Sequence, residues 1–498
     1  MDPQKTEKIP IKVKNHVNSR EYGIYSTKDF EEGEEIYIVK PLVAILDEKH
    51  LPNGCSNCFI CEEEEEDAGL YLMPCKACKV LQYCCQKCME EDWAMFHQYE
   101  CSFFLSKWPK IIPGFMRICM RLIFYGRNHP CSLEWNTIKE LEGHVSEIMS
   151  SERKEEIWIL SKGIQNFTNE PNEKLVLSLL CKIMINSFSL FTSSYDTIGT
   201  AIDLTISRID HSCYPNATLV FDGNKIALRS LQKIFIDQEI TISYIDVNNT
   251  QKNRQDELLS RYYFLCKCIR CKSQEKDESY HILKNTMSIE TFFHLEMLIN
   301  KALNEKNINI LRVLSILHRL KGWNAVLYPL NQLHKLALMY FLDENKIYNA
   351  FCHGLYIHLI GNRVSNQYMI DFNPIYVIQK FVLIKLMIFQ ASENYETQFK
   401  QINAKDMMIY AYKLLYDVIK LSYKSHGSSS RLSKRLQKIF EKTGEDISVY
   451  DWGKYWQSIL KDDPENLLIK KECLRIEHNF LSEVKKYIEI CIINVKFQ

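Results

Sequence analysis

Between residues 55 and 101, eight side chains have the types and spacing of metal ligands: Cys55-x2-Cys58, Cys75-x2-Cys78, Cys84-x3-Cys88 and His97-x3-Cys101. Ligands two or three residues apart reach one tetrahedral ion from a single turn, and eight of them make two closed sites. Thiolate and imidazole suit Zn²⁺, and a closed four-ligand shell implies a structural role. So short a segment has little core of its own, so the metal would supply much of its folding energy. A disulfide framework is the competing reading. It is disfavoured because Met1–Asn18 is polar and lysine-rich, without the apolar segment of a signal peptide, which points to a reducing compartment.

A second constellation lies further on. Cys266-x-Cys268-x2-Cys271 offers three thiolates, and a tetrahedral site needs one more ligand from elsewhere. Cys213 is the natural candidate, in the segment Asp210-His-Ser-Cys-Tyr-Pro-Asn216. A metal bridging it to the later triplet would clamp two distant segments and bring Tyr262 and Phe264 along. Cys119, Cys131, Cys181, Cys352, Cys473 and Cys491 read as small core residues.

The elements that must position these groups are legible in outline. Gly23–Leu46 reads as strands around a turn at Glu31–Gly33, and Ile202–Tyr244 as short strands with a turn at Asp222-Gly223-Asn224. Glu140–Cys181 is helical, with a new helix starting in the charged stretch Ser151–Glu156. From about Ser288 the chain is Leu/Ile/Lys/Asn-rich with helical periodicity, which predicts paired helices. The acidic run Glu62–Glu66 reads as a solvated loop.

At 498 residues the chain should hold two to four domains. Lys+Arg and Asp+Glu both total 62, and a neutral chain has no general attraction for a phosphate backbone, so DNA binding is not the expected activity. The apolar run Tyr376–Phe389 is interrupted by Lys380 and Lys385 and reads as too short to cross a bilayer.

The first cluster, with "YCCQKC" and "DWAMFHQYEC", resembles a MYND zinc finger. That resemblance implies interlocked ligation: Cys55, Cys58, Cys84 and Cys88 on one ion, Cys75, Cys78, His97 and Cys101 on the other, with Cys61 and Cys85 outside the pattern. It also implies binding of proline-containing peptides, to which Trp93 could contribute. The later motifs, Asp210–Asn216, Glu239–Tyr244 and the Cys266–Cys271 triplet, are similar to the SET methyltransferase core and its post-SET tail. A MYND finger inside a SET domain, ahead of a helical half, is the arrangement of the SET-and-MYND (SMYD) protein-lysine methyltransferases. The expected fold is therefore α+β: a β-rich SET domain with inserted finger and post-SET zinc site, then an α-helical, TPR-like domain. Expected boundaries are 1–54 for the SET N-terminal lobe, 55–101 for the finger and 102–185 for a helical insert. The SET core would follow at 186–247, the post-SET motif at 248–272 and the helical domain at 273–498.

The same resemblance implies methyl transfer from S-adenosylmethionine to a lysine of histone or non-histone proteins, three zinc ions, and a monomer in cytoplasm and nucleus. A free lysine is neutral only about one time in 2,500 at pH 7, a deficit of roughly 4.6 kcal/mol. A dry channel beside a sulfonium lowers that cost. By the resemblance, Tyr244 positions the amine, and Phe188, Tyr262 and Phe264 line the lysine channel. Arg20, Tyr22, Gly23, His144, Asn186, Asp210 and His211 would contact the methyl donor.

Three residues depart from the family pattern. Glu21 replaces the first glycine of Gly-x-Gly, Asp210 replaces an asparagine, and Arg208 stands at an apolar position, where an Arg208–Asp210 pair on one strand face is conceivable. They support an alternative: a catalytically degenerate scaffold that recruits protein partners such as transcriptional regulators.

Overall fold

The computed structural model describes residues 10–15, 22–61, 70–107, 112–192, 197–272, 310–320, 323, 328–365, 370–392 and 403–493, with isolated positions between 288 and 298. Arg20, Glu21 and the Glu62–Glu66 run lie outside the described residues. The chain forms two compact units, Met1–Tyr244 with Gln255–Cys266, and Ile245–Arg254 with Lys267–Gln498.

The first unit is built from small sheets. Strands β1 (Ile11–Asn15) and β2 (Tyr22–Ser26) pair antiparallel, with Lys14 opposite Gly23. β3 (Glu35–Val39) and β4 (Val43–Leu46) follow, and Gly33 turns the chain between β2 and β3 at φ 75°. The finger contributes β5 (Met73–Pro74) and β6 (Gln82–Tyr83). β7 (Phe188–Phe191) pairs with β8 (Thr197–Ile202), which pairs in turn with β4. At Gly199 a Cβ would lie 2.1 Å from the Ile45 carbonyl oxygen, so only glycine lets these two strands close. β9 (Asp210–His211) runs parallel to β12 (Thr241–Ile242), placing His211 opposite Ile242. Between them, β10 (Ala217–Asp222) and β11 (Lys225–Ser230) form a two-residue hairpin whose first turn residue, Gly223, has φ 60°. β11 then pairs with β3.

Helices α1 (Gln86–Asp92) and α2 (Gln98–Lys107) frame the finger, joined by a π-helical turn over Trp93–His97. The insert is helical: α3 (Gly114–Asn128), α4 (Leu133–Glu140), α5 (Val145–Met149), α6 (Lys154–Thr168) and α7 (Glu173–Asn186). Ser132 and Asn172 start α4 and α7 by accepting from the Trp135 and Leu175 N–H groups, the usual means of satisfying the first orphan donors of a helix. Cys119 and Cys181 are buried in the core of this insert, whereas Cys131 is exposed, contrary to the expectation that it packs inside. It sits in the short link between α3 and α4, where no apolar face covers it.

Helix α8 (Gln251–Tyr262) and a short helical turn, Ile269–Lys272, lead onward. The second unit is α-helical, as the periodicity predicted. Its core takes Leu333, Phe351, Phe381, Leu415 and Phe480 from five helices of the unit, and Cys352 is buried with them. The helix Pro374–Ser392 is longer than the run read from sequence, and by length and composition it is apolar enough to cross a membrane. Its Val377, Phe381, Ile384 and Met387 are instead buried in this core with the helix Ala404–Ser425.

Candidate functional site

Three groups of side chains converge with the donor chemistry of zinc. Cys55, Cys58, Cys84 and Cys88 form one, Cys75, Cys78, His97 and Cys101 a second, and Cys213, Cys266, Cys268 and Cys271 a third, with ligand atoms inside each group within 4.8 Å of one another. The spacings test the fit. Cys58–Cys84 and Cys84–Cys88 sulfurs are 3.6 Å apart, Cys75–Cys101 3.8 Å and Cys213–Cys266 3.9 Å. A zinc tetrahedron with sulfur at its usual distance has an edge of about 3.8 Å. A disulfide would need about 2.05 Å. His97 Nε2 lies 3.5 Å from Cys78 Sγ and so is the ring nitrogen turned into its group. Cys85 is exposed beside Cys84, and Cys61 is buried on the bridge to Gly54.

Around the second group lies a buried ion network that the spacing did not announce. Glu100, 1% exposed, accepts from Arg117 and Arg121 on α3 at 3.3 and 2.5 Å. Arg121 also pairs with Asp92 at 3.2 Å, and Asp92 takes the Tyr83 hydroxyl at 2.8 Å. The arginines donate onward to the Leu46 and Ala44 carbonyls of β4, tying finger, insert and sheet together. Burial opposes the Glu100 carboxylate, yet Arg121 and Arg117 outweigh it and hold it well below the usual range. Glu100→Gln should therefore cost about 3 kcal/mol, because breaking a buried network strands the remaining charges. Urea melts of the zinc-loaded protein measure this, and an unchanged midpoint would contradict it.

Tyr244 follows β12. Its hydroxyl donates to the Ile209 carbonyl at 2.5 Å, and its backbone N–H donates to His211 Nδ1 at 3.0 Å. The ring packs against Tyr262, with centroids 5.0 Å apart, and edge-on to Phe264 at 6.4 Å. Tyr262 donates back to the Tyr244 carbonyl at 3.4 Å. Phe188, at the start of β7, packs on the same core as Tyr244. Burial first, then Asp210, Tyr262 and Glu239, push the Tyr244 hydroxyl pKa upward, so it stays a phenol at neutral pH.

The remaining residues expected at the donor site are placed as follows. Tyr22 is exposed on β2, with the Arg208 guanidinium 5.6 Å above its ring, and Gly23 is next to it. His144 caps α5 in a left-handed conformation, its ring 5.1 Å from Tyr263, while its N–H and that of Gly143 both donate to Glu142 Oε1. Asn186 donates both amide hydrogens, to the Glu142 carbonyl at 2.7 Å and the Lys182 carbonyl at 2.8 Å, and so fastens the 142–144 turn to α7. Asp210 and His211 form β9. Arg208 pairs with Glu140 at 3.5 Å and not, as conceived from sequence, with Asp210. It sits in a 3₁₀ turn that ends before β9 begins, so the two side chains do not share a strand face.

Two positioning residues were missed by sequence reading. Asn216 accepts the Thr241 N–H and donates to the Glu239 carbonyl, both at 2.8 Å, locking the Glu239–Tyr244 segment against the Asp210 segment. Gln255 holds Cys266 at two points, accepting its N–H at 2.8 Å and donating to its carbonyl at 2.9 Å. Asn216 ends the quoted motif and could have been suspected, but nothing in the local sequence marks Gln255.

Strand pairs converging on a half-buried tyrosine, with an inserted cysteine-rich finger, define a SET domain protein with cysteine clusters compatible with zinc. A sequence model of the SET domain matches residues 21–245. Among relatives, "SET domain and MYND-type zinc finger protein 6" of Schizosaccharomyces pombe is 30% identical over 338 residues, 67% of this chain and 64% of that protein. Human "Histone-lysine N-methyltransferase SMYD3" is 27% identical over 56% of this chain and 64% of its own length. Human "N-lysine methyltransferase SMYD2" is 26% identical over 52% and 59%. The chain belongs to the SET-and-MYND family, and its matches span less than two thirds of the length of these relatives.

Proposed function

We propose that the protein is an S-adenosylmethionine-dependent protein-lysine N-methyltransferase acting on histone or non-histone proteins. The observation that carries this reading is Tyr244, half-buried among Tyr262, Phe264 and His211 with its hydroxyl aimed by the Ile209 carbonyl. When bound, the methyl donor supplies an electrophilic methyl group on a sulfonium sulfur. The aromatic side chains would exclude water from the lysine and disfavour its ammonium form. Tyr244 does not serve as a base, because its hydroxyl stays protonated. With its proton given to Ile209, the hydroxyl oxygen is the acceptor that would orient the amine.

The donor set also fits a cationic ligand. Asp210 and Glu239 raise the pKa of both Tyr25 and Tyr244 after burial does, so a negative field reaches the reacting hydroxyl and suits a sulfonium. Tyr22, Gly23, His144, Asn186 and Asp210, with Arg20, would hold the donor. In this proposal Asn186 acts through the turn that it fastens. The twelve cysteine and histidine ligands would hold three zinc ions. The finger, with Trp93 44% exposed, would take a proline-containing peptide.

Calorimetry of zinc-loaded protein with S-adenosylmethionine is expected to show one donor per chain, and labelled methyl should pass to a lysine peptide library. The scaffold reading rests on Asp210 in place of the amide and on Asn186, whose amide donors are both spent on carbonyls. Absence of donor binding in fully metal-loaded protein would overturn the enzyme and leave the scaffold.

A further inference from the structure

Two contacts of His211 set the tautomer of its imidazole. Its Nδ1 accepts the Tyr244 N–H at 3.0 Å. A neutral imidazole accepts at one nitrogen and donates at the other, so the proton sits on Nε2. Nε2 lies 3.3 Å from Cys213 Sγ, whose neighbour in the third cysteine group is Cys266 at 3.9 Å. A metal-bound cysteine is a thiolate, an acceptor only, so Nε2–H donates to it. The β9–β12 pairing sets His211 opposite Ile242, two residues before Tyr244, and the imidazole stands 5.3 Å from the Tyr244 ring and 6.0 Å from Phe264.

We propose that His211 is a positioning residue that couples the metal-bound Cys213 thiolate to the backbone of Tyr244, instead of a contact to the methyl donor. The ring is a rigid spacer. One edge senses the charge on sulfur, and the other holds the amide of the residue whose hydroxyl meets the substrate. For kinetic consequences the inference rests on the methyltransferase reading, but the coupling itself does not.

Two substitutions separate the edges. In His211→Asn the amide oxygen occupies the place of Nδ1 and still accepts from Tyr244, while the contact to sulfur is lost. In His211→Gln the amide nitrogen reaches the place of Nε2 and donates to sulfur, while the Tyr244 anchor is lost. With cobalt loaded in place of zinc, the thiolate-to-metal band should shift, and metal release to a chelator should quicken about tenfold, in the Asn variant only. Exchange of the Tyr244 amide hydrogen should quicken about tenfold in the Gln variant only. In protein that transfers methyl groups, the Gln variant should lose more kcat than the Asn variant at unchanged donor affinity. Weakened donor binding in both variants, with the cobalt band and amide exchange as in the parent protein, would overturn the proposal. If the parent transfers no methyl group, the methyltransferase reading fails, and the band and the exchange still decide the coupling.

Discussion

Replacing Tyr244 by phenylalanine is expected to lower methyl transfer about a hundred-fold or more, close to 2.7 kcal/mol of transition-state stabilisation. The ring survives the change, so contacts with Tyr262 and Phe264 remain and the lysine still meets an apolar wall. What disappears is one oxygen, and with it the acceptor that orients the attacking amine. The Ile209 carbonyl also loses its donor, at about 1 kcal/mol, so melting should fall by only a few degrees. Because Tyr244 is held protonated by burial and by Asp210, the parent should show no activity limb from tyrosine ionisation between pH 7 and 10. Single-turnover transfer with saturating donor, beside calorimetry of donor binding, separates the chemical step from binding. Undiminished transfer by Tyr244→Phe would remove the residue from the chemistry.

The parts of this site that could be read in sequence are those whose function demands a residue type at a short spacing. Cysteines two or three apart must serve one centre, because few other roles need that pattern. Cys213 could be attached to the 266–271 triplet by counting ligands alone. Residues acting across long separations left no such trace. Glu100 meets Arg117 and Arg121 because a π-helical turn and α3 bring them together, and each looks in sequence like a surface charge on a helix. Arg208 shows the opposite failure: proximity in sequence suggested Asp210, but the 3₁₀ turn directs the guanidinium to Glu140. Helical periodicity was enough to class the second unit as α-helical. It was silent on which polar groups lie inside, since a histidine on an apolar stripe looks like any other interruption.

Three such histidines lead to the second large effect: the helical unit should lose stability steeply as pH falls below about 6.5. His318 Nε2 and His334 Nε2 are 2.9 Å apart, His334 Nδ1 and His353 Nδ1 2.8 Å, and His353 Nε2 lies 3.4 Å from the Tyr487 hydroxyl, which accepts from Asn349. Tyr356 stacks on His334 at 3.5 Å and Phe341 on His353 at 5.4 Å, so aromatic faces pack against the two rings. Each contact in the series needs one proton and one lone pair, which neutral rings supply in alternation. Burial lowers the pKa of His318 to about 4 and of His353 to about 3, and places His334 well below its ordinary value. The unfolded chain binds these protons near pH 6.5 and the folded unit does not, so the stabilisation is complete above 6.5 and is lost as pH falls through that value. Three protons taken up on unfolding amount to roughly 3 kcal/mol between pH 6.5 and 5.5, and to about 4 kcal/mol per further unit until the folded rings titrate. Acid also strips metal from thiolates, so a global melt would mix two events. Hydrogen exchange in peptides covering residues 330–356 isolates this one: protection there should fall by about two orders of magnitude from pH 6.5 to 5.5, after correction for intrinsic rates. Protection independent of pH over that interval would mean that the imidazole series carries its protons in the folded state and that the unit tolerates the charge.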